Sequence, residues 1–369
     1  MISSPRPLRR VANGAVLTSV VLAGAVALAG CTSMAMAATP PASWSSTVPS
    51  TVPTMPPATP EPARVLDGSC STLFPETVFS DAAVRDALGE SVAEYAPFLD
   101  APNLHAVPTL GGLDCHWRAA GGYSGAASVT AVVLAGSLTD TNDSVTCEAG
   151  AVTMDPEGAS ACRFEFTAGG LWLSGHVVPR PGTAESDTRA AVAALGDAFR
   201  ALPPRGSGTV PLPAALPDGA WLPPHCAELA DAAAVTVTLA SPDLLVSDLQ
   251  TSGSESVPGV HAANGAAGVF ACAWFRSGDE PAGAVDGFSV LALPGGAWAQ
   301  SRVLAVPGAE VVDLPGVDLA VRMPTAEGHD LIDVFDGVNW MQLGGLGSLD
   351  AVLPVVPDLV DALDAQRGH

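Results

Sequence analysis

Two cysteine–tryptophan segments constrain this fold more than any other feature. Gly111–Arg118 reads Gly-Gly-Leu-Asp-Cys-His-Trp-Arg, and Gly268–Arg276 reads Gly-Val-Phe-Ala-Cys-Ala-Trp-Phe-Arg. Each Cys-x-Trp follows an earlier cysteine at nearly the same distance, 45 positions from Cys70 to Cys115 and 46 from Cys226 to Cys272. The spacing predicts one domain type used twice, each copy closed by a disulfide. The order of the remaining signals agrees: in both halves a Gly turn leads into a strand bearing a tryptophan, Trp172 or Trp340, and a helical segment follows.

Periodicity supplies the fold class. Pro75-Glu76 opens a helical stretch with Val78, Ala82, Val84 and Leu88 inward, and Gly89 is its stop. A second short helix is expected over Val92–Leu99. Ser128–Leu134 is rich in Val and Thr, as strands are. Cys162–Thr167 alternates, with Cys162, Phe164 and Phe166 on one face. Ala168-Gly169-Gly170 turns it into Leu171–Ser174, a hairpin. Asp187–Leu202 places Val192, Leu195, Phe199 and Leu202 on one helical stripe. In the second copy, strands are expected at Cys272–Trp274, Phe288–Leu293, Val317–Met323, Asp330–Phe335 and Asn339–Leu343. Pro354 and Pro357 should break the last helix into two pieces. The result is an α+β class, with two related domains that are each an antiparallel sheet with helices packed on one face. Their expected bounds are 65–202 and 225–369, joined by a Pro/Gly-rich linker over 203–224.

The N-terminus reads as an export signal. Arg6, Arg9 and Arg10 precede an uncharged run over 11–30 that ends Leu28-Ala29-Gly30-Cys31. This resembles the lipobox of bacterial lipoproteins, which implies that the Cys31 thiol receives a diacylglyceryl group. Two chains suffice for stable anchoring at the outer face of the cell membrane. Ordinary cleavage after Ala37, or retention of the apolar run as an uncut anchor, are the competing outcomes. Residues 32–64 are Pro, Ser, Thr and Ala with few large apolar groups, so they form a tether and no core. At ~3.1 Å per residue, an extended spacer of this length reaches roughly 100 Å.

Charge and cysteine usage bound the partners. Acids outnumber bases 38 to 15 in the 369 residues, a net charge of −23, and every base is arginine. Such a surface repels phosphate backbones, which excludes nucleic acid as a partner. Beyond Cys31, six cysteines remain in a chain with an export signal, which predicts three disulfides outside the cytoplasm. The repeat chooses Cys70–Cys115, Cys147–Cys162 and Cys226–Cys272, which keeps each bridge within one domain. No Cys-x-x-Cys pair points to zinc.

Lipobox, tether and the pattern Cys70, Leu73, Phe74, Ala87, Leu88, Gly89, Cys115, Trp117 together resemble a group of actinobacterial envelope lipoproteins of unknown function. Cys226, Leu229, Cys272 and Trp274 match in the second half, where the Leu-Gly stop is missing. The resemblance implies an α+β domain outside the membrane and carries no activity.

No catalytic, metal or cofactor motif accompanies the repeat. Gly122-Tyr123-Ser124-Gly125-Ala126 approaches a nucleophile elbow but lies between two expected strands, where a turn explains it. Asp140-Thr141-Asn142-Asp143 resembles part of a calcium loop without its glycine and glutamate. The histidines His105, His116, His176, His225, His261, His329 and His369 show no His-x-x-x-His spacing, so packing or surface roles are expected. Alternation puts Asp330 and Asp333, beside His329, on opposite strand faces. Trp117, Trp172, Trp274 and Trp340 are expected in the cores beside the disulfides, and Trp221 in interdomain packing; Trp298 and Trp44 lie outside the pattern. The reading is a non-enzymatic ligand-binding or accessory module of the bacterial envelope. The alternatives are an envelope hydrolase with an unrecognised site, or a scaffold for a protein partner.

Overall fold

The computed structural model describes residues 59–95, 101–120, 127–136, 143–149, 160–203, 216–249, 258–276, 285–325, 330–346 and 348–367. The first sheet comprises β1 (Val92–Glu94), β2 (Leu113–Ala119), β3 (Ser128–Ala135), β4 (Ser144–Ala149), β5 (Ser160–Ala168) and β6 (Leu171–Val178). The second comprises β7 (Leu244–Leu249), β8 (Phe270–Arg276), β9 (Gly287–Leu293), β10 (Glu310–Val312), β11 (Leu319–Pro324), β12 (Asp330–Asp336) and β13 (Asn339–Leu346). All pairings are antiparallel, in the orders β1-β2-β3-β6-β5-β4 and β10-β11-β12-β13-β9-β8-β7. Read from its β7 edge, the second sheet follows the first strand for strand and adds β10 at the far side. The sequence repeat is thus a repeat of topology, in an α+β fold with helices packed alongside both sheets.

Each sheet keeps one face for its own helices. In the first, Cys115, Trp117, Val129, Val133, Phe164 and Leu173 face Val192, Leu195 and Phe199 of the Glu185–Arg200 helix. In the second, Cys272, Trp274, Val290, Val334 and Leu343 face Leu359, Val360 and Leu363 of the Val356–Ala365 helix. Cys70–Cys115 and Cys226–Cys272 pin a short helix at matching places in the two copies, with Cα–Cα distances of 5.6 and 5.5 Å. Cys147–Cys162 joins directly opposed residues of β4 and β5. Three disulfides place this part of the chain in an oxidising, extracytoplasmic setting. Among the described residues, no helix is long and apolar enough to cross a membrane.

Three local expectations are corrected. Val92–Glu94 is a strand, not the start of a helix: Gly89 ends the preceding helix at φ 105° and ψ 176°, and the chain leaves extended along the open edge of β2. The stretch opened by Pro75 is two helices, Glu76–Phe79 and Ala82–Leu88, because the Asp81 carboxylate caps the second by accepting from Ala83 N at 2.9 Å. Ala82 is consequently exposed, and Ala87 takes the inward place. Pro357 does not break the last helix but occupies its first turn, where its missing N–H costs nothing.

The other faces of the two sheets meet. Val132, Leu134 and Trp172 of the first sheet pack with Leu293, Val321, Phe335 and Trp340 of the second, and Trp298 and the Pro258–Ala266 helix complete this shared core. Trp172 and Trp340 therefore do not lie beside the disulfides as Trp117 and Trp274 do. A strand alternates its side chains, and these two tryptophans fall on the opposite parity from the half-cystines. Trp221 is also displaced from its expected role. It is fully buried in the second copy's own core, and its Nε1 donates to Asp364 at 2.8 Å. Trp298, outside the repeat pattern, makes the cross-sheet contact instead, donating from Nε1 to Thr109 Oγ1 at 3.0 Å. At Gly259 the two halves touch backbone to side chain: its N–H donates to Ser174 Oγ at 3.0 Å, and a Cβ there would stand 2.8 Å from Ser174 Cβ.

Candidate functional site

Where the shared core stops, the same face of the first sheet turns polar. Cross-strand register sets His116, Thr130, His176, Arg163 and Thr146 side by side, one from each of β2, β3, β6, β5 and β4. Tyr95 continues the row at the β1 edge, its N–H donating to His116 O at 3.0 Å. All of these residues have the parity of Val132 and Trp172, so none reaches the helix-covered core. Two residues along, Asp114, Ser174 and Glu165 form a second polar row.

The side chains engage one another. His116 Nε2 lies 3.0 Å from Asp114 Oδ1, with only 16% and 11% of these side chains exposed, but the pair does not meet hydrogen-bond geometry. His116 Nδ1 is 3.4 Å from Thr130 Oγ1. The Tyr95 ring sits 5.6 Å from the His116 ring and 4.2 Å beneath the Arg118 guanidinium. His176 is pushed down to about 4, by burial first and then by His116 and Arg163, against a smaller opposing pull from Asp114. At neutral pH it presents an uncharged imidazole.

Hydroxyl, imidazole and carboxylate in the order Thr130, His116, Asp114 have the sequence of an acyl-transfer triad. Thr130 is only 7% exposed, however, and the β3 backbone is engaged in ladders to both β2 and β6. An attacking oxygen needs reach to its substrate and donors for the resulting oxyanion. The geometry suits recognition better than nucleophilic attack.

The second copy provides an internal comparison. Aligning Cys115 with Cys272 sets His116 against Ala273 and Arg118 against Phe275. The registers then set Thr130 against Ser289, His176 against Gly344 and Arg163 against Leu331. The same sheet thus folds without a histidine or an arginine in this row.

The remaining sequence candidates separate. Cys31, the Gly122–Ala126 segment, Asp140–Asn142, His329, His369 and Trp44 lie outside the described residues. Asp143 is a structural tie, with its Oδ2 2.7 Å from Arg200 and its Oδ1 accepting from Thr167 N at 3.0 Å; the Arg200 bond holds its carboxyl below the usual range. His105 is packed in the shared core between Trp298 and Trp340, with ring centroids 5.4 and 5.1 Å away. His225 and His261 are exposed. Asp330 and Asp333 do take opposite faces: Asp330 lies 3.7 Å from Arg322, while Asp333 is buried and accepts from Trp340 Nε1 at 2.8 Å and Gln342 Nε2 at 3.0 Å. Cys226, Asp248 and Cys272 converge closely enough to hold a metal, but the two sulfurs are bonded to each other and Asp248 accepts from Cys226 N. No thiolate is left to coordinate.

A carboxylate cluster at the β12–β13 turn joins Asp336 and Asp364 to Arg367, with Asp318 close by and accepting from Gly337 N at 2.9 Å. Asp336 is pushed up to about 6, by burial first and then by Asp364, with Asp318 adding to the rise and Arg367 opposing it. Arg367 is shared between Asp336 and Asp364, so one positive charge serves two carboxylates. The Asp364 bond to Trp221 ties the last helix to the linker end, which marks the cluster as structural. A raised folded pKa means that this group favours the fold at low pH and loses that contribution as pH rises through about 6. Asp336→Asn should therefore raise stability relative to the parent at pH 8 and change it little at pH 4. Urea titrations of both proteins at the two pH values test this. Loss of stability at pH 8 would show the Arg367 pair to outweigh burial. The variant must be compared with the parent at each pH, because the depressed His176 acts in the opposite sense, weakening the fold as pH falls below its ordinary value.

Comparison with protein-family models, with curated protein sequences and with solved structures found no match.

Sequence reasoning missed the polar row because His116 and His176 belong to strands that neither follow one another nor pair directly. The available signal was parity: each lies one residue from a core-facing position in its strand. Both are polar exceptions at places where the second half carries small residues.

Proposed function

We propose that this chain is a lipid-anchored, non-enzymatic binding module on the outer face of the cell membrane, and that its ligand sits on the polar row of the first sheet. The observation that carries this reading is the unequal pair of sheets. Thr130, His116, His176 and Arg163 stand where the second sheet manages with Ser289, Ala273, Gly344 and Leu331. Half-buried polar groups cost free energy unless they are partnered, so a row that the fold does not need is best explained by something it binds. The second sheet then serves as scaffold, fixing the first through the shared core.

The lipobox ending at Cys31 and the 32–64 tether support attachment at a distance from the membrane. Cys31→Ala should move the protein from the membrane fraction to the soluble one; retention in the membrane would favour an uncut anchor.

Polar small molecules extracted from the envelope should raise the melting temperature of the purified protein. The double variant His116→Ala with His176→Ala, which takes residues close to those of the second sheet, should fold and show no such rise. An equal rise in the variant would remove the row from the reading.

A second reading, docking of a protein partner, is favoured by Leu245, Leu249 and Phe275, which are 48%, 44% and 40% exposed on one face of β7 and β8.

A further inference from the structure

The arginines divide in an informative way. Arg64, Arg276, Arg322 and Arg367 are half-buried, and each meets a carboxylate: Glu61, Asp243, Asp350 and Asp336 respectively. Arg118 is half-buried over the Tyr95 ring. Arg163 is half-buried too, yet among the described residues it makes no ion pair and no side-chain hydrogen bond. In a chain with 38 acids and 15 bases, carboxylates are not scarce. The neighbour directly opposite Arg163 is His176, an imidazole held neutral and likewise without a hydrogen-bonding partner among the described residues.

We infer that Arg163 and His176 form a subsite for a carboxylate group of the ligand. This rests on the reading of the polar row as the binding face and adds the chemistry that it selects. A guanidinium presents its donors as a planar fork that matches the two oxygens of a carboxylate. The imidazole on the next strand, roughly 5 Å away in the hydrogen-bonding direction, can donate to the same group. The structural cost of a half-buried guanidinium that makes no ion pair among the described residues is then offset on binding. At the matching place the second sheet has Leu331 opposite Gly344, and neither offers a side-chain donor.

The surroundings choose between oxyanions. Asp114 on β2, Glu165 on β5 and Glu148 on β4 share this face, and the whole chain carries −23. A phosphate dianion meets twice the repulsion that a carboxylate monoanion does. Repulsion of this kind is screened by salt, so binding should be measured at constant ionic strength.

The test uses the full extracytoplasmic chain with sodium acetate as probe and sodium chloride as the ionic-strength control, observed through the His176 ring resonance. Acetate should shift that resonance saturably, and phosphate more weakly. Arg163→Leu, which installs the second sheet's own residue and so preserves the fold, should weaken acetate binding by roughly tenfold or more, the size of one lost charge-assisted pair. Arg163→Lys should fall between the two, and Arg85→Gln, at an exposed arginine elsewhere, should change nothing. No shift beyond the chloride control, equal binding in Arg163→Leu, or preference for phosphate would each overturn the subsite. Envelope-extract stabilisation that depends on His116 and His176 while acetate stays silent would sink the carboxylate inference and leave the binding face standing. Acetate binding with no response to any extract would count against the wider reading alone.

Discussion

Trp172→Ala should lower the unfolding free energy by about 3–5 kcal/mol, the range for removing a fully buried tryptophan. The indole is completely buried in the core that the two sheets share. The loss should therefore appear on both sides of it. Amide hydrogen exchange should quicken in β6 and also in the Pro258–Ala266 helix, which approaches Ser174 through Gly259. Gly259→Val approaches the same contact from the other side. Its side chain would meet Ser174 Cβ and Val132 Cβ at 2.8 and 3.1 Å, and overpacking of this kind costs about 1–3 kcal/mol. Exchange changes confined to the first sheet, or a loss well under 1 kcal/mol in Trp172→Ala, would show that the sheets do not depend on each other.

Removing Cys226–Cys272 as the double alanine variant should cost about 4 kcal/mol in the chain-entropy model, and Cys70–Cys115 should cost the same, because the closed loops are nearly equal. Removing Cys147–Cys162 should cost about 3 kcal/mol, since it closes a loop of 15 residues. Urea unfolding of the three double variants measures the order. The two equivalent bridges anchor a short helix against a Cys-x-Trp strand and reach the centre of each core. The third only clamps neighbouring strands that are already paired by backbone hydrogen bonds. A larger loss for Cys147–Cys162 than for the other two would contradict this ranking.

Much of the architecture was legible in the sequence because it depends on local signals. Alternation fixed the β5 face, Gly169-Gly170 its hairpin, and the helical stripe of Val192, Leu195 and Phe199 the long helix. The shared core was less legible, although β3 carried a clue. Its residues from Val129 to Ala135 are buried without a break, the mark of a strand covered on both faces, whereas an open face would alternate. Trp172 and Trp340 lie in the shared core for the same reason, since their strand parity is opposite to that of the half-cystines. The polar row was the least legible part. It is assembled from five strands by register, and register depends on which strands pair, which no single stretch of sequence states. Arg163 illustrates the difficulty, because in sequence it is only the polar partner of Cys162 and Phe164. Its significance comes from His176 opposite it and from Leu331 in the matching place of the second sheet.

Native mass spectrometry of the protein purified gently from its own envelope tests the central claim most directly. The account predicts an adduct on the parent protein that is lost on unfolding, and a bare mass for the folded variant with His116→Ala and His176→Ala. A bare mass for the parent, or an adduct that survives both substitutions, would contradict it.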